Sequence, residues 1–273
     1  MKPISYRFGI VKSIEFFLKI IILNIIVSTM FSGLFHMFKL SSFHPLVNTV
    51  SSIISVVISI KTTVELKNWN IYDELNFENG SLVLLLPFSF IIIGVSIILL
   101  DIRNYLFYYF PMSVFFEKIF MQVSGANISL FWSVVSILIF APIVSEVIFR
   151  GVILNGLKNK YISTTAVVFS SILFGLIKFN IYEAIPAFIL GVIIGLVYIK
   201  TNSLGLAILL HMLSNLITLI YLYLLELEIS VYINGAFHSI WLNGFAVVNI
   251  IIGLIIYSRK FKSHHKVSRN RWA

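Results

Sequence analysis

Cysteine is absent from the 273 residues. No disulfide framework, thiolate nucleophile or cysteine metal site is open to this chain. Charge is almost as scarce: only 11% of residues are Asp, Glu, Lys or Arg, against about 25% in an ordinary soluble domain. A soluble protein of this length needs far more polar surface around its core, so that class is excluded. Disorder, a coiled coil and a repeat array fit no better. Alternating strands are lacking too. The apolar runs are continuous over roughly 17–25 residues, where a membrane barrel alternates over about 10. What is present is apolar: 59% of residues are hydrophobic and the mean hydropathy is +1.00. The expected class is an all-α polytopic membrane protein, a single membrane domain over 1–273 with the lipid bilayer as its solvent.

Eight segments are long and apolar enough to count as spans: 16–38, 45–60, 82–100, 129–148, 163–177, 184–199, 204–225 and 240–257. The second, fifth and sixth are short for ~30 Å of hydrocarbon. The basic start, Met1 to Lys12, precedes an apolar stretch holding Glu15 and Lys19 and lacking a small-residue cleavage site. It reads as an uncleaved first helix. The formal charge of +9 suits flanks of membrane segments better than nucleic-acid binding. With the N-terminus inside and eight alternating helices, most cations fall in inner segments, including Arg150, Lys158, Lys160, Lys200 and the run from Arg259. Lys39, Arg103, Lys118 and Lys178 fall outside or at an outer boundary. That bias predicts both termini on the cytoplasmic side.

The segment 61–81 is polar and is expected as an inner surface loop. The segment 101–128 is rich in Tyr and Phe. It is expected as an interfacial stretch at the outer face, with a plain aromatic belt as the simpler reading. The basic cytoplasmic tail 259–273 is attracted to anionic lipid by ~1 kcal/mol per cation. The triplets at Asn79 and Asn127 are chance-level glycosylation patterns.

Ionisable groups inside a membrane are costly and are usually functional. Glu146 and Arg150 lie four apart near the end of the fourth segment, so they share a helix face. The alternative is Arg150 snorkelling to the aqueous side. Lys178 ends the fifth segment, one turn after Phe174, where a lone Lys is commonly a snorkelling anchor. His211 and Asn215 lie one turn apart within the seventh. They form either an interhelical hydrogen-bond device or a ligand or general acid beside an oxyanion donor.

The stretch Ala141-Pro142-Ile143-Val144-Ser145-Glu146-Val147-Ile148-Phe149-Arg150-Gly151 resembles the first motif, roughly A-P-x-x-E-E-x-x-F-R-G, of the CAAX-protease and bacteriocin-processing membrane family (CPBP, or Abi). Phe174 to Lys178 aligns with its second motif, F-x-x-x-H. His211 to Asn215 aligns with its third, H-x-x-x-N. The resemblance covers about 129–225. It implies a conical helix bundle with a cavity open to membrane and cytoplasm. It also implies intramembrane metalloendopeptidase chemistry, in which the first Glu activates water and the two His complete the centre, with a divalent metal such as zinc. The Asn stabilises the oxyanion. The residue types suit amide hydrolysis, which needs a means of making hydroxide near neutral pH and a donor for the developing O⁻.

Two positions depart from the pattern. Ser145 stands for the first Glu and Lys178 for the second-motif His, while Glu146, Arg150, His211 and Asn215 remain. A protonated Lys cannot ligate a metal. A Ser145 nucleophile with Lys178 as base is a minor alternative. The leading expectation is a degenerate protease centre without a metal, or with Glu146 and His211 as the only ligands if one binds. Lys178 is then expected within ~4 Å of Glu146 as a built-in cation. The functional expectation is a protein that binds or regulates a membrane or envelope protein, bacteriocin self-immunity being one version, in a bacterial cell membrane. An active CAAX-type endopeptidase with a remodelled centre is the alternative. A transporter is the remote one, since no internal repeat supports it.

Overall fold

The computed structural model describes residues 9–37, 45–63, 79–111, 130–224 and 240–269. Their regular structure is entirely helical. The helices are α1 (Ile10–Met37), α2 (Pro45–Thr63), α3 (Asn79–Tyr109), the compound helix α4, α5 (Ser163–Leu176), α6 (Ile181–Thr201), α7 (Leu204–Leu224) and α8 (Ile240–Arg269). Helix α4 begins at Leu130–Val135 and widens into a π-helical turn at Ser136–Phe140. It is α-helical at Ala141–Glu146, widens again at Val147–Leu154 and ends at Asn155–Lys158. Six helices (α2, α3, α4, α6, α7, α8) are long and apolar enough to cross a membrane, and α5 is a shorter apolar helix. The eight-helix membrane architecture expected from hydropathy is the one observed.

Three boundaries differ from expectation. The fourth span was expected to end at 148, yet α4 continues to Lys158. Arg150 does not stop it, because its charge is satisfied inside the protein and not at an aqueous boundary. The loop expected from 101 starts later, since α3 runs to Tyr109. Asp101 and Arg103 are held within that helix by partners on α8 and α6. The tail expected from 259 is helical to Arg269. The bulk of the loops 61–81 and 101–128, and Asn127, lie outside the described residues.

The second half of helix α4 lies in the core. All eight residues of Val147–Leu154 are buried, a pattern that fits a helix surrounded on every side. One apolar cluster joins this stretch to Phe16, Phe17, Val56, Val167 and Phe174. A second joins Phe88 and Ile92 of α3 to Leu190 and Ile194 of α6 and Leu206 and Leu210 of α7. Without a hydrophobic driving force between helices in lipid, small residues permit the close backbone approach that association requires. At Gly94 an added Cβ would lie 2.2 Å from the Ala246 carbonyl, and at Gly253 it would lie 2.6 Å from that of Pro87. These glycines seat α8 against α3. Asn243 of α8 donates to Asp101 of α3 at 2.5 Å.

Asn180 caps α6: its side chain accepts from the Glu183 backbone N–H at 2.8 Å, the usual use of Asn before a first turn. Three contacts then tie this helix start to the end of α3. Arg103 Nη2 donates to Glu183 Oε2 at 2.8 Å. Tyr182 donates to the Phe110 carbonyl at 2.6 Å, and the Tyr182 and Phe107 rings stack at 4.2 Å.

Candidate functional site

The π-helical turns in α4 alter which backbone groups are paired, and the polar centre is built on that change. In the first turn the Ala141 N–H bonds the Ser136 carbonyl, a five-residue step. The same step would pair the Ile137 carbonyl with residue 142, which is Pro142 and has no N–H. Asn215 supplies the missing donor: its Nδ2 bonds the Ile137 carbonyl at 2.7 Å. In the second turn Ser170 Oγ donates to the Phe149 carbonyl at 2.8 Å.

Glu146 ends the α-helical stretch between the two turns and is 0% exposed. Its Oε1 accepts from Arg150 Nη1 at 2.9 Å and lies 2.7 Å from His211 Nδ1. An ionised carboxylate only accepts, so with Glu146 charged Nδ1 carries the proton. Arg150 is 1% exposed, so it does not snorkel. Its Nη2 donates to the Gly191 carbonyl of α6 at 2.9 Å. A Cβ at Gly191 would lie 3.0 Å from the Phe174 ring, so a side chain there would crowd the ring beside this contact. Glu146 Oε2 is buried and has no hydrogen-bond partner. The Phe174 ring completes the centre. Arg150 Cζ lies 5.0 Å from its centroid, Lys178 Nζ 5.5 Å and the His211 ring 5.5 Å, edge-on.

The centre thus brings together Glu146, Arg150 and His211, each from a position the sequence singled out. The other three positions are placed differently. Asn215 bonds the α4 backbone. Ser145 is on another side of α4 and lines a cavity bounded by α1 and α2. Lys178 is exposed and makes no ion pair with Glu146, whose partners are Arg150 and His211. The expected approach of Lys178 to Glu146 is therefore corrected: Arg150, one turn along the same helix, already balances the carboxylate. Lys178 instead lines two cavities, the one it shares with Ser145 and a smaller polar one with Arg103, Glu183, His211 and Asn215.

A protein-held zinc ordinarily has three or four protein ligands. Among the described residues no three His, Asp or Glu side chains cluster in that way. Glu146 and His211 are two donors whose facing atoms bond each other, beside a guanidinium that repels a cation. They supply two of the three or four donors that a zinc site ordinarily has.

Residues 127–217 match the family model for Rce1-like proteins, described as type II CAAX prenyl endopeptidase Rce1-like. This stretch is similar to Rce1-like domains. It holds all three motif positions and runs from the start of α4 into α7, about a third of the chain. No curated protein and no solved structure matches the chain. The Rce1-like match agrees with the motif resemblance, and the described helices make the protein an integral membrane one.

Sequence reasoning missed the α3 side of the smaller cavity, where Ser96 donates to Ser214 at 2.8 Å beside the Arg103–Glu183 pair. The signal was present: Asn180 followed three residues later by Glu183 is a helix-start pattern. It located a carboxylate, though not its partner 80 residues earlier in the chain.

Proposed function

We propose that this Rce1-like membrane protein acts by binding or regulating a membrane or envelope protein, and that its polar centre is structural and not hydrolytic. Bacteriocin self-immunity is one such role. The proposed setting is a bacterial cell membrane with both termini cytoplasmic. One observation carries the reading: the Glu146 carboxylate, which would have to inherit the task of activating water, is bound to Arg150 and His211 in a fully buried site. Ser145 is no carboxylate, and Lys178 makes no ion pair with Glu146. A hydrolytic centre needs a base within reach of a water and a donor aimed at the oxyanion. Asn215, the family's oxyanion donor, here bonds a helix carbonyl.

The second reading is an endopeptidase with a remodelled centre, favoured by the His211–Glu146 contact at 2.7 Å. Incubation of the purified protein with fluorogenic prenylated CAAX peptides, alongside metal analysis of the same preparation, separates the two. The expected result is no cleavage above that of His211→Ala, and zinc well below one per chain. Cleavage that is lost in both His211→Ala and Glu146→Gln overturns the proposal in favour of the peptidase.

A further inference from the structure

The cavity between α1, α2 and α4 has a volume of about 470 Å³, within the range of small-molecule pockets, roughly 300–1,000 Å³. Its walls are of two kinds. Ile20, Ile25 and Val56 give it an apolar side. The other side carries polar groups inside a membrane bundle, where each normally finds a partner. Some have one: Asn24 donates to Ser52 at 3.0 Å, and Thr49 bonds Ser136. The side chains of Asn48 and Ser145 and the Lys178 ammonium make no hydrogen bond to another described residue, and all three line the cavity. Each offers N–H or O–H donors. Lys178 carries the only formal charge among the described lining residues, and no carboxylate accompanies it.

The backbone beside Lys178 takes an uncommon conformation. Phe179, which also lines the cavity, has φ 54°. That conformation is uncommon for a bulky residue and persists where the surroundings impose it.

We infer that this cavity binds a single-chain amphiphile with an anionic head. The head takes the Lys178 ammonium and the Ser145 and Asn48 donors, and the chain lies along Ile20, Ile25 and Val56. Glu183 lies on the other side of Lys178, in the smaller cavity, so within this cavity the ammonium faces only neutral donors, and that setting selects a negative group over a neutral one. An apolar wall beside it selects a hydrocarbon chain over a free ion. The carboxylate of a fatty acid and the phosphodiester of a lysolipid share this chemistry. Ser145 and Lys178, the two positions that depart from the family motifs, thereby serve one ligand. Binding here does not depend on whether the Glu146–His211 centre hydrolyses anything.

The test uses the full chain in discs of neutral phosphatidylcholine, with the fluorescent fatty acid cis-parinarate as probe. Oleate, lysophosphatidylglycerol and oleyl alcohol are the competitors. Saturable probe binding, displaced about tenfold more strongly by an anionic competitor than by oleyl alcohol, is expected. Whichever anion competes better identifies the headgroup. Lys178→Met is expected to weaken the probe by about tenfold and Lys178→Arg to retain it. Equal competition by oleyl alcohol overturns the inference, as does a Lys178→Met protein that binds like the parent. If Lys178→Met does not fold, the competitor ranking on the parent decides alone.

Discussion

At the residue scale Arg150 and His211 both meet Glu146 at one buried carboxylate oxygen, Oε1. Removing one partner of a buried pair leaves the other uncompensated, a loss of about 3–5 kcal/mol. Arg150→Ala is expected to lower the thermal unfolding midpoint in detergent, and adding Glu146→Gln to recover part of that loss. An Arg150→Ala protein as stable as the parent contradicts the buried pair. A second residue-scale prediction concerns Asn215. Its amide serves the carbonyl that Pro142 leaves without a donor, so Asn215→Ala is expected to cost about 0.5–1.5 kcal/mol. Pro142→Ala restores a backbone N–H at that place, so Asn215→Ala is expected to cost less in a Pro142→Ala background. A double-mutant cycle by thermal unfolding with zero coupling counts against this role. Much of the cluster was legible beforehand. The four-residue interval of Glu146 and Arg150 is helix geometry and needs no fold. His211 meets them across 65 positions, and only the ordered motifs pointed there. Lys178 was misjudged for a specific reason. Helical periodicity gives side-chain direction only within a helix, and α5 ends at Leu176. The chain then turns through Phe179 at positive φ, and the direction of Lys178 no longer follows from spacing.

At the scale of elements, hydropathy located the helices but not their ends. Boundaries were set too early wherever a charged residue appeared, at Asp101 and Arg150, because spacing does not reveal partners on other helices. The π-helical turns of α4 were not legible either. A five-residue step leaves no mark on an apolar run, and Pro142 alone does not distinguish it from an ordinary kink. The glycine contacts of α3 and α8 yield the prediction at this scale. A Cβ at residue 94 meets the Ala246 carbonyl, which belongs to helix backbone and cannot simply swing away. Gly94→Ala is expected to destabilise the protein by about 1–3 kcal/mol through overpacking. Gly33→Ala serves as the control, because a Cβ there meets nothing within 4 Å. Equal unfolding midpoints for the two variants would show that α8 does not sit on α3 this closely.

At the scale of the whole molecule, the distribution of Lys and Arg proposes an orientation that the helices alone do not supply. Reporter fusions after Asp73, between α2 and α3, and after Ala273 are expected to read cytoplasmic, and one near Gln122 to read external. An external signal from the C-terminal fusion refutes the eight-span arrangement. The molecule is also uneven in how firmly its parts are held. The stretch Val147–Leu154 of α4 is buried throughout, whereas only 17% of the apolar window of α8 is buried. Helix α8 is fixed along one seam, at Gly94, Gly253 and the Asn243–Asp101 bond, with Tyr257 beside Phe88 at 5.4 Å. That asymmetry gives the bundle a mechanical polarity. Pulled from its C-terminal end by a single-molecule tether, the protein should yield in discrete stages, with α8 peeling away first at low force. The helices around α4 should then resist as one unit, rupturing together at a higher load.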